Sequence, residues 1–568
     1  MAKTKPELVL LYPPEIYDFR KHLRIVSPIR EFQASPTGAY PVDLAHLGEY
    51  LDRNGVASLV RNLAGEMSSD SSFDVPAYLA GHSPLAFLIY LHRTAQTQGA
   101  LEIARLCKQE HAAVPVVMCG FAASYFCREL VSLPEVDFVI RGDSPEEPLR
   151  MLMDGLRSRV QFSEIPNLAY TSSAGSCENP LEYIPASLEH LGSPYTYLVK
   201  SAFRYGSLQE MMAALDLNLH PFTQVLVGRG CSYDCITCFN SRSAAESLQG
   251  RKSVTLRSPN QIARDVEIIS DMTGAPISLR GDLRLGGDDY AYETMEILSH
   301  LAPENSIGFE LFDVASREFY DRLVSCIPHF DLSLCLLSHD EEMRNFCGKA
   351  FSNEELEKNI AWALESGCGR IDLILLVGLP GQSPDLVLGS IAYCAELMRR
   401  YGPKLNPTLQ AMVPILSPGS LVYEEAPRFG YNLFSKNLAD YRQALLAANW
   451  RDSLNYETRW MNRQTIQDTV YTALLALNEL KAKHGLVTRH KADIKERRIR
   501  DSLAIIKHLD ELSGRELEVM GQGELDKLKH EADLINRAFT LPSRLDDLKS
   551  MRKQFHYTRI LKLALGRT

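Results

Sequence analysis

The chain has 568 residues, more than one ordinary domain holds, which predicts roughly two to four domains. Its composition, 45% hydrophobic and 23% charged, is that of a globular protein and excludes wholesale disorder. With 61 Lys and Arg against 71 Asp and Glu the net charge is −10, so neither nucleic acid nor anionic lipid is an expected partner. No apolar run approaches the roughly 20 residues a bilayer requires, and the opening MAKTKPELVLLYPP does not read as a signal peptide. The 12 cysteines then read as free thiols, and the expected location is cytoplasmic with no membrane partner.

Residues 1–155 alternate strand and helix signals. Leu8–Tyr12 is an apolar run stopped by Pro13-Pro14, and a helix with Leu44, Leu47 and Leu51 on one face ends at Asn54-Gly55. Leu85–Tyr90, Val114–Cys119 and Val136–Ile140 are further strands, with a helix from about Gly99 to Gln109 between the first two. This order predicts an α/β, doubly wound parallel sheet covered on both faces, whose ligand lies beyond the carboxyl ends of the strands. The loops there are Tyr12-Pro13-Pro14, Cys119-Gly120-Phe121 and Arg141–Glu146. Gly120 and Gly142 either admit a ligand to the backbone or serve tight strand-to-helix turns. No G-x-G-x-x-G follows the first strand, which argues against NAD. Residues 156–215 are poorly patterned, with Thr171–Ser176 small and polar, and read as a linker packed between domains.

The sharpest signal is Gly230-Cys231-Ser-Tyr-Asp-Cys235-Ile-Thr-Cys238, directly after an apolar strand at Phe222–Gly228. Three thiols so spaced can converge from one loop on one metal centre. Structural zinc wants four closed ligands, and no second CxxC pair stands nearby, although His220 and His339 could supply a fourth. Three cysteines on a four-iron cluster leave one iron open to a ligand, which makes the number functional. Downstream, a helix near 259–272 leads to strands at Ile277–Leu279, Gly308–Phe312, Asp331–Leu336, Ile371–Val377 and Gln410–Pro414, with a helix at Asn353–Ser366 started by Asn353 with Glu355. Six strand–helix units make a partial barrel, and its active site belongs at the carboxyl ends of the strands.

Cys231, Cys235 and Cys238 match the CxxxCxxC motif of the radical S-adenosylmethionine (SAM) superfamily, on the loop after the first barrel strand where that family carries it. Thr237 departs from the aromatic residue usual there. A doubly wound domain ahead of such a barrel resembles the cobalamin-dependent, class B radical SAM proteins over about residues 5–430, closest to a group without an assigned substrate. The resemblance implies a Rossmann-like cobalamin-binding domain (1–155), a linker (156–215), a partial (βα)6 radical SAM barrel (216–430) and a C-terminal helical domain (431–568). It implies a [4Fe–4S] cluster on the three cysteines and SAM held by Gly281-Asp282, Glu310, Ser338, Arg344 and Gly378-Leu379-Pro380-Gly381. Ordinary turns and a helix cap are the alternative reading of those landmarks.

The implied corrinoid-facing positions are Tyr12, Pro13, Gly120, Ser124, Gly142, Asp143 and Glu146. No Asp-x-His-x-x-Gly occurs, in keeping with family members that bind cobalamin without a histidine ligand, and Cys119-Gly120 stands where many have Gly-Gly. The family's chemistry implies a 5′-deoxyadenosyl radical and methyl transfer through methylcobalamin to a small-molecule or peptide substrate, with flavodoxin or ferredoxin as electron donor. The catalytic residues are left unknown. Two alternatives stay open: a radical SAM enzyme of another outcome without cobalamin, such as cyclisation or ring rearrangement, and a non-catalytic corrinoid or metal-binding protein. In the tail, Val470–Leu480 is helical, and the basic run His484, Arg489, His490, Lys491, Lys495, Arg497, Arg498 and Arg500 is a solvated face or a surface for an anionic substrate or donor. Tyr456–Trp460 is an aromatic candidate to close over the barrel mouth.

Overall fold

A computed structural model describes residues 5–25, 27–28, 42–173, 175–206, 223–411, 416–512, 522–540 and 556–564. The first unit is a seven-stranded sheet in the order β2-β1-β3-β4-β5-β6-β7. Its parallel part is β1 (Leu8–Tyr12), β2 (Ser58–Asn62), β3 (Ala86–Tyr90), β4 (Val116–Cys119) and β5 (Phe138–Ile140). Leu8 to Leu11 are wholly buried because helices cover both faces, which is why this strand reads as an unbroken apolar run. The stretch read as a linker instead extends the sheet. β6 (Leu168–Ser172) adds antiparallel to β5 and β7 (Gly175–Glu178) antiparallel to β6, and a helix at Pro194–Tyr205 packs on helix Val42–Arg53. Alternation there is weak because β7 is an edge strand with little to bury.

The second unit is an open, all-parallel six-stranded barrel in the order β15-β14-β13-β12-β11-β8. Its strands are β8 (Thr223–Leu226), β11 (Ile277–Arg280), β12 (Ile307–Leu311), β13 (Phe330–Leu337), β14 (Ile371–Val377) and β15 (Leu405–Ala411), and a short ribbon of β9 (Gly228–Arg229) and β10 (Thr255–Leu256) follows β8. Ile307, Phe309 and Leu311 are buried under the helices, while Gly308 and Glu310 are partly open, a period-two pattern repeated on β13 and β14. The last strand begins five residues before the expected Gln410–Pro414, and residues 412–414 of that range lie outside the described residues. Helix Asn353–Glu365 starts from a capping box between Ser352 and Glu355, so the cap is Ser352 and not Asn353.

The tail straps both units together. β16 (Tyr431–Leu433) pairs with β17 (Tyr456–Thr458), and helix Arg463–Lys483 packs on helix Pro384–Tyr401 and on β15. Helix Leu438–Ala444 reaches back to the first unit, where Arg442 pairs with Glu102. Part of the basic charge of helix Arg489–Glu511 is paired nearby: Arg489 with Asp493 of the same helix at 2.8 Å and with Glu479 of the preceding helix at 2.6 Å, and Arg500 with Glu496 at 2.8 Å. That supports the solvated-face reading of the run. Among the described residues, no helix is long and apolar enough to cross a membrane.

Candidate functional site

The three cysteines sit on the loop after β9, at the carboxyl end of the barrel's first strand. Local hydrogen bonds shape that loop around its sulfurs. The Tyr233 amide donates to Cys231 Sγ and the Asn240 amide to Cys238 Sγ, each at 3.4 Å. The Cys238 amide donates to the Cys235 carbonyl at 3.1 Å, closing a turn between the second and third thiols. Burial raises all three thiols, Cys238 to about 12, and the Lys349 ammonium opposes burial at each. The thiols are partly buried, and the amide donors and the Lys349 ammonium offset part of what burial costs a thiolate, so a cationic centre that takes them as thiolates fits this donor set. Among the described residues, no three His, Cys, Asp or Glu side chains converge on one ion position. Three thiols from one loop fall one short of the four closed ligands of structural zinc and suit a cubane that takes one thiolate per iron. His339 Nδ1 lies 2.9 Å from Ser390 Oγ, and His220 is outside the described residues.

Lys349 was not apparent in the sequence. It is buried, donates to the Phe312 carbonyl, and lies 5.1 Å from the Tyr233 ring and 5.6 Å from the Phe312 ring. The neighbouring Gly348 approaches so closely that a Cβ there would come within 3.0 Å of the Cys235 Cα. Lys349 therefore projects from a segment clamped against the cluster loop, 114 residues away from Cys235 in sequence. Cys335 on β13 and Cys347 are additional thiols on the same side, both raised by burial.

The barrel mouth gives the other expected residues mixed fates. Glu310 does have partners: it pairs with Arg280, and its Oε2 accepts the Gly281 amide at 2.9 Å. Asp282 does not present a free carboxylate, as the expected role would need. It is 2% exposed; its oxygens take the Arg284 amide and guanidinium and the Phe312 amide. Arg344 is likewise occupied. Its guanidinium donates to the carbonyls of Ser338 at 2.8 Å and Phe351 at 2.8 and 3.1 Å, and to Asn353 at 3.0 Å, so it pins a loop. Ser338 Oγ accepts the Asp340 amide at 3.2 Å, while the cap of the following helix is Asp340, whose carboxylate accepts the Met343 amide at 2.7 Å. Gly378-Leu379-Pro380-Gly381 is a turn held by Gln382, which accepts from the Gly378 and Leu379 amides. Tyr431 donates to the Gly378 carbonyl at 2.6 Å, so the tail covers this corner of the barrel.

Residues 225–393 match the family model described as the Radical SAM superfamily. This segment is a radical SAM domain. The chain is similar in fold to the radical SAM methyltransferase TsrM from Kitasatospora setae, solved with tryptophan and a SAM analogue: TM-score 0.58, 15% identity, covering 84% of this chain and 89% of that one. It is also similar to OxsB, a cobalamin-dependent SAM radical enzyme solved with aqua-cobalamin, at TM-score 0.55, 11% identity and coverage of 99% and 84%. At such identities the likeness shows the shared two-unit fold. No curated protein matches the chain.

In front of the radical SAM domain, the loop after β5 departs from its expected corrinoid-facing role. Glu146 is wholly buried and pairs with Arg229 of β9 at 2.5 Å, and Asp143 pairs with Arg251 at 2.5 Å. Ser144 accepts from Arg229 at 2.9 Å and from Arg251 at 3.2 Å. Burial opposes ionisation of Glu146, but Arg229 and His190 outweigh it and hold its carboxyl down to about 2. These acids dock the two units. Ser124 ties two turns together, donating to the Gly120 carbonyl at 2.9 Å and accepting the Gly142 amide at 3.0 Å. The Pro13 carbonyl accepts from Gln96 at 3.3 Å, and Tyr12, at the end of β1, hydrogen-bonds with Arg93.

Proposed function

We propose that the protein is a radical SAM enzyme that carries a [4Fe–4S] cluster and cobalamin and transfers a methyl group to a substrate carbon or phosphorus. The observation that carries this reading is the loop of Cys231, Cys235 and Cys238, the first and third sulfurs met by backbone amides, opening at the carboxyl end of a partial barrel and facing a doubly wound sheet. When bound, the cluster and SAM supply reducing cleavage of a sulfonium, and cobalamin supplies a methyl carrier. The chain's residues hold and shield. The three cysteines would hold the iron, and Lys349 places a fixed positive charge beside them. The Arg280–Glu310 pair sets polar groups at the barrel mouth where a SAM amino or carboxylate group would lie. Tyr431 and the β16–β17 hairpin shut water out at the end of β14. The methyltransferase outcome is supported by the fold shared with TsrM. The expected partners are a small-molecule or peptide substrate and a flavodoxin or ferredoxin donor.

Anaerobic reconstitution tests the reading. The wild-type chain should take up about four irons and release 5′-deoxyadenosine from SAM, and it should retain cobalamin through gel filtration. Replacing Cys231, Cys235 and Cys238 by Ala should abolish iron uptake and SAM cleavage. A triple variant that still cleaves SAM overturns the cluster assignment.

A further inference from the structure

In a doubly wound sheet a ligand lies where the connections leave in opposite directions. Here β1 connects to β2 on one side while β3 and β4 follow on the other, so the switch point is the crevice beyond the ends of β1 and β3. Leu91-His92-Arg93 follow β3 at that point. The His92 backbone is fixed: its carbonyl accepts the Ala122 amide at 3.1 Å, and the Leu91 amide donates to the Cys119 carbonyl at 2.9 Å. Gly120 allows this close approach, since a Cβ there would lie 2.7 Å from the Leu91 carbonyl oxygen. The ring is also fixed. It stacks on Tyr90 at 5.4 Å, and its Nδ1 lies 3.3 Å from Tyr90 Oη. Nε2, directed away from Tyr90, has no hydrogen-bond partner among the described residues. The ring is half-buried and faces the edge of Phe239, the residue after Cys238, at 6.1 Å. Burial lowers its pKa below the ordinary value, which keeps the imidazole neutral, the form that binds metals. In the tautomer that carries its proton on Nδ1, the ring donates to Tyr90 Oη and the lone pair lies on Nε2, the arrangement by which a hydrogen bond at one ring nitrogen prepares the other as a ligand.

We propose that His92 is an axial ligand, through Nε2, to the cobalt of a corrinoid bound in the β1/β3 crevice between the sheet and the cluster loop. The proposal rests on the cobalamin reading above. It gives this chain an imidazole ligand from the loop after β3, without the Asp-x-His-x-x-Gly motif.

The test uses the full-length chain, uniformly labelled with nitrogen-15 and loaded with natural-abundance cob(II)alamin, read by electron paramagnetic resonance. A protein imidazole on cobalt should split each cobalt hyperfine line two-fold, and His92→Phe should retain cobalamin while losing the splitting. A three-fold splitting would mean that the corrinoid's own benzimidazole is the ligand, and unsplit lines would mean no axial nitrogen; either overturns the proposal with cobalamin binding intact. A two-fold splitting that survives in His92→Phe assigns the ligand elsewhere and overturns it too. A wild-type chain that holds no cobalamin through gel filtration refutes the cobalamin reading itself, and this ligand with it.

Discussion

Replacing Glu146 by Gln removes one half of a buried ion pair that crosses between the two units. The side chains of Glu146 and Arg229 are 0% and 7% exposed and meet at 2.5 Å. The gap between a carboxyl held at about 2 and its ordinary 4.5 corresponds to about 3 kcal/mol of folding free energy. Leaving a buried guanidinium without its partner independently predicts a loss of about 3–5 kcal/mol. The two routes agree, so Glu146→Gln should cost about 3 kcal/mol in urea unfolding at pH 7. Arg229→Met should cost a similar amount. The double variant should be far less destabilised than the sum, because no lone charge is left behind. The sign with pH follows from a depressed carboxyl: the contribution is fully present above about pH 4.5 and is lost as pH falls toward 2. The gap between wild type and Glu146→Gln should therefore shrink to about 1 kcal/mol at pH 3. A Glu146→Gln protein within about 0.5 kcal/mol of wild type at pH 7 would refute the docking role argued for this pair.

Lys349→Met should leave the iron content of the reconstituted protein unchanged and move the cluster's midpoint potential to more negative values, because a fixed cation beside the thiolates favours the reduced state; Lys349→Arg should restore most of the shift, and an unchanged midpoint in a fully loaded Lys349→Met would show that the ammonium is structural. Gly378 has φ +96°, and an added Cβ would lie 2.1 Å from Tyr456 Oη, so Gly378→Ala should cost at least about 2 kcal/mol in urea unfolding. Tyr456→Phe alone should be neutral or stabilising by about 1 kcal/mol, since that hydroxyl is buried without a partner among the described residues, and in its background Gly378→Ala should cost less; a large loss from Tyr456→Phe would show that the hydroxyl is satisfied.

Strands with both faces covered were the easiest to read. Leu8–Tyr12 was bounded correctly because it is an uninterrupted apolar run, and Ile371–Val377, apolar except for Asp372, was bounded correctly although every second residue is partly open. β2 was passed over because Ser58-Leu-Val-Arg-Asn62 carries polar residues at both ends, and Asn62 is spent capping the next helix. β15 was misplaced because Pro407 interrupts Leu405–Ala411, and a proline inside a strand reads as a stop. It is tolerated here because β15 is the edge of the barrel sheet. The cysteine loop could be read outright, since its three cysteines lie within eight residues. Lys349 could not, because what makes it notable is its position over Tyr233 and Phe312, which no spacing encodes.

The residues whose expected roles changed share one physical cause. Asp143, Glu146, Asp282 and Arg344 are charged groups at the carboxyl ends of strands, where ligands bind, and so they read as ligand contacts. Each is buried or nearly so with a counter-charge or a set of backbone partners already in place. A buried charge must be satisfied within the folded chain, and one that is fully satisfied has no remaining capacity for a ligand. The groups left with capacity are the less conspicuous ones: His92 Nε2 and three thiols raised by burial. They face one another across the Phe239 contact, because the charged residues around them hold the two units together. The docking pairs thus serve the site indirectly. Loosening Glu146–Arg229 would widen the space between imidazole and cluster loop without touching either, so a loss of activity in Glu146→Gln at unchanged iron content would report the separation of the two units rather than a missing ligand contact.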